Sequence, residues 1–255
     1  MTAALKAVPG VRERVSPEEW ALRVDLAAAF RLAALNGWDD LIFTHMSVRI
    51  PGPEHHFLIN SYTNMFEEVT ASNLVKIDLN GDKVMDCAGQ VIRAGFVIHS
   101  AIHSARENAN AVIHLHTPQG QAVSASADGL LPVTQTAMIV CHDVAYHESE
   151  GIAEDMGEQE RIVADLGEKN TMILRNHGTM AVGETIQQAY LRMYFLERAC
   201  QAQVLIPGKV HRPQQGVAEV IKGQVTGPAT KMIAEHFAWP ALLRKLDRID
   251  SSFRD

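Results

Sequence analysis

The chain predicts an α/β fold, a single three-layer αβα domain over residues 1–255 with a mainly antiparallel central sheet. Short apolar strands alternate with amphipathic helices along the 255 residues, and several strands are joined by hairpin turns. No internal repeat, low-complexity segment or interdomain linker divides the sequence.

Residues 1–15 read as an N-terminal arm. Ser16-Pro17-Glu18-Glu19 then supplies a helix start, with serine at the cap, proline in the first turn and glutamate three residues after the cap. Trp20, Val24, Ala28, Leu32 and Leu35 hold helical spacing, and Asn36-Gly37 closes the helix. His45–Ile50 alternates as a strand, Pro51-Gly52-Pro53 turns it, and His56–Asn60 returns as a hairpin. Leu74–Leu79 is a further strand, with Asn80-Gly81-Asp82 turning into Lys83–Met85. A helix follows over Gly95–Arg106, carrying His99 and His103 four apart on one face.

Pro118–Ala127 reads as helix, stopped at Asp128-Gly129, and Val133–Val140 and Val144–His147 read as strands. Glu158–Leu166 is a short helix, Met172–Leu174 a strand, and Glu184–Ile206 a long helix ended by Pro207-Gly208. Residues 207–255 form a C-terminal extension, a loop at 211–216 and then helix through Asp247.

Composition excludes several classes. With 23 basic against 30 acidic side chains the net charge is −7, and no basic block points to nucleic acid or an anionic membrane. Cys87, Cys141 and Cys200 are an odd count without framework spacing, which fits a reducing cytoplasm. Residues 1–15 lack the apolar core of a secretory leader, and no apolar run reaches membrane-spanning length. Histidine, twelve residues, is the informative excess.

The chemistry gathers at Ala111-Val-Ile-His-Leu-His-Thr-Pro118. Positions two apart in a strand share a face, so His114 and His116 project together, and Pro118 ends the strand. His177, in Thr171-Met-Ile-Leu-Arg-Asn-His-Gly178, sits at another strand tip, where Gly178 permits a sharp turn. Three histidines so placed would hold a divalent metal with open positions. A lone histidine is more often a satisfied polar residue than a ligand. A same-face pair closing an apolar strand has no evident packing purpose. His99 and His103 form a rival pair, since histidines four apart on a helix also bind zinc, although Ser100 stands where such a motif carries glutamate. His55, His56, His142 and His147 lie near turns or strand ends, where solvated surface roles are the default. Residue pattern alone leaves the ligand set open.

Asn110-Ala-Val-Ile-His-Leu-His116, Arg175-Asn-His-Gly178, Gly95-Phe-Val-Ile-His99 and Leu174 before the long helix together resemble the class II aldolase/adducin family, from about Glu18 to Gln203. The resemblance implies an αβα fold and a homotetramer with active sites between subunits. It also implies that His114, His116 and His177 bind the metal, usually zinc and in some members manganese or another divalent ion. His99 and His103 then become helix residues facing the pocket or core.

Departures from the sugar-phosphate aldolases are specific. Their Ser-Ser-Glu run is replaced by Arg93, Ala94 and Gly95, their Gly-Asn before Ser-Val by Thr44-His45-Met46 before Ser47, and their Thr-Gly turn by Tyr62-Thr63. Phosphate donors are thus missing at three places, and the glutamate base is absent. Leu58-Ile-Asn-Ser-Tyr62 and Gly129-Leu-Leu-Pro-Val-Thr-Gln135 resemble the adducin-like branch, which includes metal-dependent decarboxylases of aromatic or pyridine dicarboxylates. Retro-aldol cleavage needs a base for the hydroxyl proton, whereas decarboxylation needs only an electron sink and then a proton donor. The expectation is therefore a metal-dependent lyase, a decarboxylase of a hydroxylated aromatic or hydroxy/oxo acid. A retro-aldolase on a non-phosphorylated hydroxy-oxo acid and a non-catalytic adducin-like assembly module are the alternatives. His99, His103 and Tyr62 are the candidate proton handlers. Arg93, ahead of a helix, is a candidate carboxylate clamp, with surface arginine as its bland reading. Gln135 resembles a position lining a neighbouring subunit's pocket.

Overall fold

The Ser16 hydroxyl accepts from the Glu19 backbone N–H at 3.1 Å, and this cap starts the long helix as its sequence dictates. The computed structural model describes residues 10–91, 93–151 and 157–255, with residues 93–97 described by backbone alone. Seven strands form one sheet: β1 (His45–Arg49), β2 (Phe57–Ile59), β3 (Val75–Ile77), β4 (Ala111–Leu115), β5 (Val144–His147), β6 (Thr171–Leu174) and β7 (Gly178–Gly183). Their order across the sheet is β3-β2-β1-β4-β7-β6-β5, and only the β5–β6 pairing is parallel.

Helices cover both faces, as the near-continuous apolar strands require. The helices are α1 (Val11–Arg14), α2 (Pro17–Leu35), α3 (Arg93–Ala105), α4 (Pro118–Ser124), α5 (Gln135–Val140), α6 (Glu158–Leu166) and α7 (Ile186–Val204), then the C-terminal α8 (Val217–Val225), α9 (Pro228–Met232) and α10 (Trp239–Ile249). On one face α2, α4, α5 and α7 bury Ala111, Ile113 and Leu115 of β4 against Leu26, Phe30, Val123 and Leu196. On the other, α3 and α6 bury Val112 and Met180 against Ile98, Ile102, Ile162 and Leu166. Strand alternation therefore sends His114, two residues from Val112, to the α3 side. Phe30 meets Phe66 edge-on at 4.8 Å between centroids, which joins α2 to the loop after β2.

Four sequence expectations change. Residues 133–140 are not a strand: the Thr134 hydroxyl accepts from the Ala137 N–H and caps α5, so Gln135 is an exposed first-turn helix residue. Lys83 makes a single bridge with Ile77 rather than a returning strand, although the Asp78 carboxylate accepts from the Asn80 and Asp82 N–H groups as the turn predicts. The expected N-terminal arm is packed from Val11 on, since Val11 is buried in α1; residues 1–9 lie outside the described residues. The C-terminal extension is helical, broken at Gly227, and anchored by Arg31, which donates to Val69 O, Asp250 and Ser252.

The fourth concerns the turn before His177. Asn176, not Gly178, takes the left-handed conformation, with φ 56°. Gly178 instead starts β7, a strand the sequence reading did not anticipate. It lies so near β4 that a Cβ there would meet the Leu115 carbonyl at 2.4 Å. Gly178→Ala should therefore lower stability by about 3 kcal/mol through forced separation of β4 and β7. An unchanged urea midpoint in the variant would refute that role.

Candidate metal centre

His114 is the fourth residue of β4, His116 follows the strand, and His177 stands at the tip of the β6–β7 hairpin, its N–H donating to Leu174 O at 3.1 Å. One ligand atom from each lies within 4.8 Å of the others. The ring centroids are 4.7, 4.8 and 4.7 Å apart, a nearly equilateral triangle.

Hydrogen-bond partners set the tautomers. His114 Nδ1 lies 3.0 Å from the Thr179 carbonyl, which can only accept, so Nδ1 carries the proton and Nε2 the lone pair. His116 Nδ1 faces the Asp40 carboxylate at 3.1 Å, with the same consequence. The two Nε2 atoms then point lone pairs at each other across 3.0 Å. That repulsion is relieved when a cation lies between them. Two imidazoles with Nδ1 held from behind and a third ring beside them make the donor set a divalent ion requires, and these residues fit one.

The family model of the class II aldolase and adducin N-terminal domain matches residues 24–204. The chain belongs to this family. An aldolase II superfamily protein from Pseudomonas syringae is similar over 96% of this chain and 100% of its own, with 47% identity and a TM-score of 0.90. L-fuculose 1-phosphate aldolase from Glaciozyma antarctica is 28% identical over 93% of each chain, with a TM-score of 0.81. Alpha-adducin of Mus musculus is 39% identical over 89% of this chain, which spans only 33% of that longer protein.

Within this class II aldolase/adducin domain the second histidine pair is bonded differently from the first. His103 Nδ1 is 2.7 Å from Ala109 O and must donate. Its Nε2, 2.7 Å from Ser47 Oγ, therefore accepts the serine proton. Ser47 Oγ in turn accepts from His99 Nδ1, also at 2.7 Å. The chain ends at His99 Nε2, which is buried and has no partner. His103 is thus locked at both nitrogens and His99 at one. His45, opposite His114 in the β1–β4 register, lies 6.2 Å from the His99 ring and also keeps a buried, unpartnered Nε2.

The other sequence candidates are dispersed. Tyr62 is half-buried and packs on Phe43 at 6.1 Å, on the turn that carries Asp40. Gln135 makes no described contact with the three imidazoles. The Arg93 side chain lies outside the described residues. His147 is not a surface residue: it is buried, with Nδ1 2.7 Å from Asp165 and Nε2 3.6 Å from Glu158. Asp40, Ser47, Thr179 and Glu197 were missed, because hydrogen bonds between residues distant in sequence leave no spacing signal.

Burial is the first cause of every resolved histidine shift here. It pushes His45 and His177 to about 4 and His103 to about 3, with neighbouring histidines or Arg49 adding to the effect, while His99 and His114 fall well below their ordinary value. An unfolded histidine titrates near 6.5, so between that value and the folded one the unfolded chain binds more protons. Stability is then complete above about pH 6.5 and is lost as pH falls toward 4, by about 1.4 kcal/mol per unit for each such imidazole. Denaturant midpoints of the metal-free protein should fall steeply from pH 6.5 to 4.5. A flat profile would show that these rings are not buried neutral.

Proposed function

We propose that this protein is a divalent-metal-dependent carbon–carbon lyase, and that it decarboxylates a hydroxylated aromatic, heteroaromatic or hydroxy/oxo acid. The observation that carries this reading is the convergence of three imidazoles, with one ligand atom of each within 4.8 Å of the others. His114, His116 and His177 would hold the ion, zinc or another divalent cation such as manganese. When bound, it supplies a Lewis acid that lowers the barrier to carbon–carbon cleavage by several kcal/mol.

The rest of the site follows from what each side chain can give or take. His103 has no free nitrogen, so of the helix pair His99 is the one left to accept a hydrogen bond from a substrate hydroxyl. Tyr62 offers the phenolic proton that a carbanion equivalent needs after carbon dioxide leaves. Arg93 begins α3, where a guanidinium fork and a helix N-terminus would clamp a second carboxylate. Leu41 and Phe43, 60% and 42% exposed beside Asp40, give the site an apolar rim. Such a rim, with exposed Gln135, supports a homotetramer in which a neighbouring subunit completes the pocket.

Two features favour other readings. The likeness to an L-fuculose 1-phosphate aldolase favours retro-aldol cleavage, here without the phosphate. The likeness to alpha-adducin favours an assembly module. One experiment separates the three. The metal-analysed protein is incubated with hydroxylated pyridine and benzene dicarboxylates and with hydroxy-oxo acids, and products are followed. Carbon dioxide release supports the decarboxylase, aldehyde release the aldolase, and failure to bind any divalent metal the module. His114→Ala and His177→Ala should each lower kcat/KM by about a thousandfold or more, with little loss of folding stability. Arg93→Ala should mainly raise KM, since a uniform-binding clamp acts on ground and transition state alike; unchanged kinetics would return Arg93 to the surface.

A further inference from the structure

We infer that Glu197 of α7 is a positioning residue for the three-histidine centre, acting through two threonines from the opposite face of the sheet. The inference rests on the metal-site reading above. Glu197 is 2% exposed, and its two oxygens are divided between two hydroxyl donors. Thr117 Oγ1 donates to Oε2 at 2.5 Å, and Thr179 Oγ1 donates to Oε1 at 2.5 Å. Thr117 directly follows His116 and caps α4 by accepting from the Gly120 N–H at 2.9 Å. Thr179 carries the carbonyl that receives the His114 Nδ1 proton.

One carboxylate therefore fixes the main chain beside two of the three candidate ligands. There is little slack around it. A Cβ on Gly120 would come within 2.8 Å of Thr117 Oγ1, 3.0 Å of Thr179 Cγ2 and 3.2 Å of Glu197 Oε1. Taking a carboxylate out of water is costly, and hydrogen-bonded burial recovers little net stability over an apolar residue. Two converging hydroxyl donors need an acceptor with two bare oxygens, which glutamate supplies and glutamine does not. The arrangement is explained by the register it imposes on β4 and β7 at the site, where small displacements of a ligand's support weaken metal binding.

Cobalt(II) is the probe, followed by its visible absorption. Wild type should bind it with a defined ligand-field band. Glu197→Gln should bind at least ~10-fold more weakly and with a shifted band. Thr179→Val, which keeps the carbonyl but loses the hydroxyl, should move both readouts in the same direction. Leu74→Ala, a buried change in the core just before β3, should lower stability and leave the cobalt titration unaltered. Affinity and spectrum of Glu197→Gln within twofold of wild type would overturn the inference while leaving the metal site standing. Wild type that takes up no cobalt would instead remove the metal reading, and this inference with it.

Discussion

The pairing of β4 with β7 is the constraint on which the site depends. Leu115 stands opposite Thr179 and His114 opposite Met180, so the residue that accepts the His114 proton belongs to the strand that His177 precedes. Backbone register and ligand orientation are the same set of hydrogen bonds here. A slip of one residue would turn His114 to the α7 face and take the Thr179 carbonyl out of its reach. The close approach at Gly178 and the bracket at Glu197 act at this same junction, one from within the ladder and one from behind it. The left-handed Asn176 completes it by reversing the chain within three residues, Arg175 to His177.

Burial then decides which protonation states the imidazoles adopt. In water His45, His99, His103, His114 and His177 would titrate near neutrality, but in the fold burial desolvates the charged form of each and neighbouring imidazoles or Arg49 oppose it. Both effects favour the neutral base, the form that binds metal. The same environment fixes hydroxyl direction in the Ala109–His103–Ser47–His99 chain, because only one end of it, the Ala109 carbonyl, has an unambiguous role. His45 and His99 are each left with a buried, unpartnered Nε2. The His45 atom belongs to the residue opposite His114 across the β1–β4 pairing.

The parts of this structure legible in the sequence are those written in local patterns. The α2 helix announces itself by cap and spacing, the β1–β2 hairpin by its proline turn, and β4 by an apolar run closed with two histidines. β7 was hidden because Gly178-Thr-Met-Ala-Val-Gly183 is too glycine-flanked to stand out beside the long helix that follows. Residues 133–140 misled because a β-branched, apolar run has strand character, while the Thr134 cap that makes it a helix needs only one hydroxyl. His147 misled for another reason: a histidine at a strand end reads as solvated unless its partners are known, and Asp165 and Glu158 come from a different element. The three ligands were legible as two fragments, and the resemblance joined them. What holds each ligand in place was not.

The supporting groups bear on whether the site does chemistry. An assembly module needs an apolar, well-packed junction between β4, β7 and α7, and leucine or methionine at the histidine positions would meet that need without desolvating a polar ring. Instead the junction holds three imidazoles, two of them with matched tautomers and lone pairs forced together at 3.0 Å, and a carboxylate braced by two hydroxyls. A cation between the rings would offset the opposition of the His114 and His116 lone pairs. Three imidazoles gathered in this way could hold a divalent ion.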